Sequence, residues 1–200
     1  MLHSGFSFIM ATCCAGLAIL INPEYNPEKS GSITFSQQCP PRDTFPKICV
    51  VLPGPDIAAI SPFTIPFGSA ESSYEDENGS TCIYRFDSRE ERASINITLL
   101  RHGSAAEAKT GYKNYIQAHQ EMWSRDPERI PNLGDSANFS YNADPGLCDI
   151  CGLTLISGPY FLTINLRGQY ENLPREQKKL ATIKMAELLM ERYPPLRRRN

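Results

Sequence analysis

A chain of 200 residues with 20 basic and 22 acidic side chains, both signs interspersed, has no basic field with which to hold nucleic acid. Its 41% apolar and 10% aromatic content excludes wholesale disorder. Glycine, at 13 residues, is too sparse for a collagen-like or low-complexity chain, so a packed core is expected.

The N-terminus departs from that globular pattern. No charged residue occurs from Ser4 to Pro23, and Phe6 to Ile21 is almost wholly apolar. Residues 1–21 therefore read as an export leader or membrane anchor, with His3 standing where Lys or Arg is usual. Gly16-Leu17-Ala18 offers a small-x-small cleavage site, while the apolar run nears the ~20 residues that span a bilayer. Met10-Ala11-Thr12-Cys13 is similar to a lipobox and makes Cys13 a lipidation candidate. Cleavage, anchoring and lipidation all place the remaining chain in an oxidising periplasm or cell envelope.

Residues 22–48 are polar and carry Pro23, Pro27, Pro40, Pro41 and Pro46, the composition of an extended tether. A single domain is expected over 49–193, followed by a basic tail, 194–200, that reads as a solvated end. Beyond the leader stand five cysteines, Cys39, Cys49, Cys82, Cys148 and Cys151. The odd count leaves at least one without an intramolecular partner, and spacing alone does not fix the connectivity. The favoured pairs are Cys49–Cys82, closing a loop of about 30 residues for about 3–4 kcal/mol, and Cys148–Cys151.

Pro55 to Ile60 suits a short helix, with Pro in the first turn and Asp56 at its positive end. Gly68 to Ser80, with Glu71, Glu75, Asp76 and Glu77, reads as an acidic, solvated loop. Two alternating runs predict an antiparallel hairpin. The first puts Cys82, Tyr84 and Phe86 on one face; the second puts Ala93, Ile95, Ile97 and Leu99 together. Ser104 and Glu107 then form a capping box, and Ala108, Tyr112, Tyr115, Ile116, His119 and Met122 recur at helical spacing. Trp123 falls in the same helix and reads as core. Three short strands are expected at Ala137–Tyr141, Gly152–Ile156 and Tyr160–Leu166. A last helix, opened by Pro174 and stopped by Pro194, carries Leu180, Ile183, Ala186, Leu189, Met190 and Tyr193 on one face. This order predicts an α+β fold, an antiparallel sheet of about five strands with two long helices packed on one face.

Two strings carry candidate chemistry. Arg101-His102-Gly103 after a strand resembles the histidine phosphatase signature, with His102 as nucleophile and Arg101 gripping phosphate. The competing reading is a strand-to-helix turn in which Gly103 relaxes the backbone. His119, the only other histidine past the leader, sits among apolar helix positions. Cys148-Asp149-Ile150-Cys151 reads as a disulfide, with thiol–disulfide exchange and zinc as alternatives; Asp149 raises thiol pKa, and a second ligand pair for zinc is missing. No other metal ligand set and no cofactor motif is present, and Asn78, Asn96 and Asn138 open glycosylation sequons.

The order of these features resembles a family of exported, functionally uncharacterised bacterial lipoproteins, best represented in actinobacteria. Cys49, the Pro55–Ile60 helix, Ser80-Thr81-Cys82, the tyrosine-bearing helix and Asn132-Leu133-Gly134-Asp135 carry the likeness. The resemblance implies a PsbP-like sandwich of sheet and helices, supports the Cys49–Cys82 pair, and implies a non-catalytic role. The function expected is that of an exported envelope binding protein, as an inhibitor or immunity-type domain, with an unknown protein or small ligand as partner.

Overall fold

The computed structural model describes residues 45–89, 92–123, 126–141, 149–168 and 173–197. The leader, Cys13, Cys39 and Cys148 lie outside the described residues, so the expected Cys148–Cys151 bond does too. Among the described residues no helix is long and apolar enough to cross a membrane.

Chain packing starts ahead of residue 49. Ile48 is fully buried and its backbone N–H donates to Ser80 Oγ at 2.9 Å, so the end of the expected tether belongs to the core. Helices α1 (Ile48–Val51) and α2 (Gly54–Ile60) follow, the second starting where Pro55 and Asp56 predict. Next come β1 (Phe67–Glu75), β2 (Gly79–Asp87) and β3 (Arg92–Arg101), then α3 (Ala105–Trp123). The cap of α3 forms as expected: Ser104 Oγ accepts from the Glu107 N–H at 3.2 Å, and the Gly103 N–H donates to the Glu107 carboxylate at 3.0 Å. Strands β4 (Glu128–Arg129), β5 (Ser136–Tyr141), β6 (Asp149–Ser157) and β7 (Tyr160–Gly168) precede α4 (Arg175–Arg192).

The strands form one antiparallel sheet of seven in the order β1-β2-β3-β7-β6-β5-β4. It is larger than the expected five because the edge strands β1 and β4 show no alternation of buried and exposed side chains long enough to mark a strand. Strand β1 falls in the stretch expected to be an acidic loop. Its side chains are exposed from Gly68 onward, so burial imposes no period on them, and pairing with β2 alone makes it a strand. Register shifts near Gly68 and Ser73 blunt this outer edge.

The two long helices lie on opposite faces, which corrects the expectation of a shared one. Cys82, Tyr84, Ile95, Ile97, Leu99, Leu153, Leu155, Leu162, Ile164 and Leu166 pack with Met185, Ala186 and Leu189 of α4 and with α1 and α2. Residues of the opposite parity, Ile156 and Phe161, pack with Tyr112 of α3. Each fully buried aliphatic contributes about 1.5–3 kcal/mol, so the α4 side dominates stability and α3 is a satellite. Strands β6 and β7 are apolar enough at both parities to take a helix on each face, and β2 and β3 are not.

Of the expected α4 face, Ile183, Ala186, Leu189, Met190 and Tyr193 pack on the core, while Leu180 does not. Lys178, Ala181, Thr182, Met185, Ala186 and Leu189 face the sheet, and Leu180 is 52% exposed. Small Ala181 and Ala186 allow close approach, and the Lys178 ammonium lies 5.5 Å from the Tyr141 ring centroid. Past α4, Leu196 is buried, and Arg197 donates to the carbonyls of Met190 and Glu191 at 3.0 and 3.1 Å. This start of the basic tail caps a helix rather than fraying.

Further contacts fasten the entry segment. Cys49 and Cys82 form a disulfide with a Cα–Cα separation of 5.2 Å. The Tyr84 hydroxyl donates to the Leu52 carbonyl at 2.7 Å, and Arg192 of α4 donates to the Val51 carbonyl at 3.0 Å. Replacing both Cys49 and Cys82 with Ala is expected to cost about 2–5 kcal/mol, measured by urea unfolding. Reductant should destabilise only the parent protein. Hydrogen exchange should find the α3 amides opening before those of β3 and β7, and equal protection would refute the satellite assignment.

Candidate functional site

The face of the sheet that carries α3 is built from positions between the buried ones, and the ladder aligns them in rows. Arg85, Ser94 and Arg167 stand side by side across β2, β3 and β7. The next row holds Ile83, Asn96, Asn165, Gly152 and Ser140, and the one beyond it Thr81, Thr98, Thr163 and Thr154. Leu100, Phe161 and Ile156 make the last row, and α3 sits there. Because α3 lies on β6 and β7, Thr81, Ile83, Ser94, Asn96 and Thr98 stay half-buried beside it.

Side-chain chemistry on this face is polar. The Thr81 and Thr98 hydroxyls share a hydrogen bond of 3.0 Å. Ser136 Oγ donates to the Tyr112 hydroxyl at 3.1 Å. The Tyr115 hydroxyl faces Thr154 and Asn165, and burial pushes its pKa up. Gly152 permits the close approach of Asn165, since a Cβ there would stand 2.9 Å from the Ile164 carbonyl oxygen. Asn96 Oδ1 and Ser140 Oγ, in one row, are buried without a hydrogen-bond partner among the described residues. Each such atom costs about 1–3 kcal/mol, so this layer is not arranged for maximal stability.

At the arginine end the face opens into a concavity of about 700 Å³ lined by Arg85, Asp87, Arg92, Ser94, Arg167 and Gly168. Among the described residues three arginines and one aspartate line it. Arg85 also pairs with Glu71 of β1 on the outer side. A smaller concavity of about 240 Å³, by Phe45, Lys47, Glu75 and Asp76, lies where the chain enters the domain. Hydrogen bonds from Lys47 and Tyr74 hold the Glu75 and Asp76 carboxyls, respectively, below their ordinary pKa values.

The two residues of the phosphatase-like string are not brought together. Successive strand residues point to opposite faces, so Arg101 turns to the entry side. Its guanidinium donates to the Glu77 carbonyl at 2.9 Å and lies 5.8 Å from the Phe45 ring centroid. His102 packs on the α3 side, edge-on to Phe161 at 6.2 Å and close to Gly111. Phe161 meets Tyr115, which lies 4.1 Å from His119, so both histidines end in one aromatic stack. Cys151 is buried within β6 rather than at a helix start, where a dipole would activate it. Among the described residues no three His, Cys, Asp or Glu side chains gather as metal ligands. Asn78 lies exposed at the β1–β2 turn, while Asn96 and Asn138 are half-buried in strands.

The polar face carries no sequence motif. Its signal was the polar alternation of Ser94, Asn96 and Thr98 with Thr163, Asn165 and Arg167, but only strand order sets those runs side by side. Comparison with family models, with curated proteins and with solved structures finds no match for this chain.

Burial lowers the His119 pKa from its ordinary 6.5. The unfolded chain then takes up a proton that the folded one resists. Stability is fully present above the unfolded value and falls as pH drops through the folded one. Melting curves from pH 7.5 to 5 should show this acid loss in the parent and a smaller one in His119→Gln. An identical loss in the variant would refute the assignment.

Proposed function

We propose that this chain is an exported, non-catalytic binding domain, a PsbP-like sandwich that meets a partner of the cell envelope on the polar face beside α3. The observation that carries the reading is the contrast between the sheet's faces. One is closed by α4, α1 and α2 over an apolar core. The other leaves Ser94, Asn96 and Thr98 half-buried beside α3, with a 700 Å³ concavity at one end. Polar groups kept at that density on a rigid sheet suit recognition better than stability.

Export is supported by the Cys49–Cys82 bond, since disulfides persist in oxidising compartments, and by the apolar leader. The separation of Arg101 from His102 favours binding over phosphoryl transfer, because a nucleophile and its phosphate clamp must share one side. The position of Cys151 within a strand likewise favours a structural over a redox role.

A photo-crosslinking residue at Thr98 is expected to label a partner in native envelope, and one at Leu180, on exposed α4, is not. Equal labelling from both positions would refute the reading. So would turnover of a phosphomonoester that His102→Ala abolishes.

A further inference from the structure

Resting on that reading in its membrane-anchored form, we infer that the corner where the chain enters the domain, α1 and α2, docks on the lipid surface of the membrane that holds residues 1–21. From Ile48 to Pro66 the only charged residue is Asp56, and its carboxylate pairs with Arg192 at 2.5 Å. The segment nevertheless leaves apolar side chains outside. Val50 is 71% exposed. Pro53 in the link to α2, and Pro55 and Ala59 one turn apart on a face of that helix, are exposed as well. Lys47, which borders the corner, is already paired with Glu75 at 2.8 Å.

The backbone of the corner suits a dehydrated boundary, where an unpaired polar group is costly. Pro53 and Pro55 have no N–H. The Val50 and Val51 N–H groups donate to the Lys47 carbonyl at 2.9 and 3.0 Å, and those of Asp56 and Ile57 to the Pro53 carbonyl at 3.0 and 3.3 Å. Arg192 and Tyr84 donate to the Val51 and Leu52 carbonyls. What the chain is joined to chooses among apolar occupants. Residues 22–44 join Ile21 to Phe45 and reach at most about 80 Å. The corner therefore stays near the bilayer, and a weak contact becomes an intramolecular one. A stable dimer would bury about 800 Å² per partner, more than these four exposed side chains, none larger than valine, can supply. Because α1 and α2 pack on the apolar layer, docking there leaves the polar face turned away from the lipid.

Photo-crosslinking of the full chain in its own membrane vesicles, read by mass spectrometry of the adducts, tests this. A photo-reactive residue at Val50 is expected to carry phospholipid, and one at Gln117, exposed on α3 across the sheet, about tenfold less. Val50→Asp should cut lipid adducts from a photo-reactive residue at Ala59 about tenfold. Its melting temperature in detergent micelles should match the parent's, because the side chain at 50 is exposed. Val50→Ser, a milder change, should act in the same direction. Equal lipid labelling from Val50 and Gln117, adducts of Val50 with a protein or a second copy in place of lipid, or no effect of Val50→Asp would each overturn the inference. Absence of lipid adducts from a chain that stays in the membrane pellet after alkaline washing would overturn it while leaving export and anchoring intact. Release of the chain by that wash would overturn the docking and the anchoring together.

Discussion

The period-two alternation of five neighbouring strands holds the rest of this molecule in place. In β2, β3, β7, β6 and β5, every second side chain enters one apolar layer, and the residues between them form the opposite face. A slip of one residue in a central strand would turn Ile95, Ile97 or Ile164 away from that layer, so burial specifies the register strongly. The helices take their positions from that division. Helix α4 covers the apolar layer, and α3 lies on β6 and β7 of the other side, where Phe161 and Ile156 offer an apolar footing beside Leu100.

The two faces divide the work. The apolar one carries stability and receives the entry segment, stapled by Cys49–Cys82 and by Tyr84 and Arg192. The polar one keeps oxygens at Asn96 and Ser140 without a partner among the described residues, an energetic cost that a chain built only for stability would avoid. The staple and the concavity lie on opposite sides of one sheet. Arg101 and His102 illustrate the same division. Adjacent in the chain, they serve different faces, one closing the entry side and the other packing beneath α3.

Most of the central architecture was legible from local pattern. The alternating runs of β2 and β3 stood out because one face of each is buried, β6 stood out as a short apolar run buried on both faces, and the Ser104–Glu107 cap marked the start of α3. The edges were not legible. Strand β1 has exposed side chains and therefore no period, and β4 has two residues. The buried side of α4 was legible in part: Ile183, Ala186, Leu189, Met190 and Tyr193 pack on the core as expected, but Lys178 and Thr182 join them and Leu180 does not. A polar residue is readable as buried only once its neighbours are known.

The amino-acid order by itself determined the α+β class, the central strands and which of their side chains turn inward. These depend on spacing along a single strand or helix, which a linear pattern records in full. Tertiary structure alone decided that the two long helices oppose each other across the sheet, that β3 and β7 are neighbours, and that Arg85, Arg92 and Arg167 share one concavity. Those outcomes depend on pairing between strands far apart in the chain, as in Ser94 with Arg167, where loop closure and helix packing choose among partners of equal local merit.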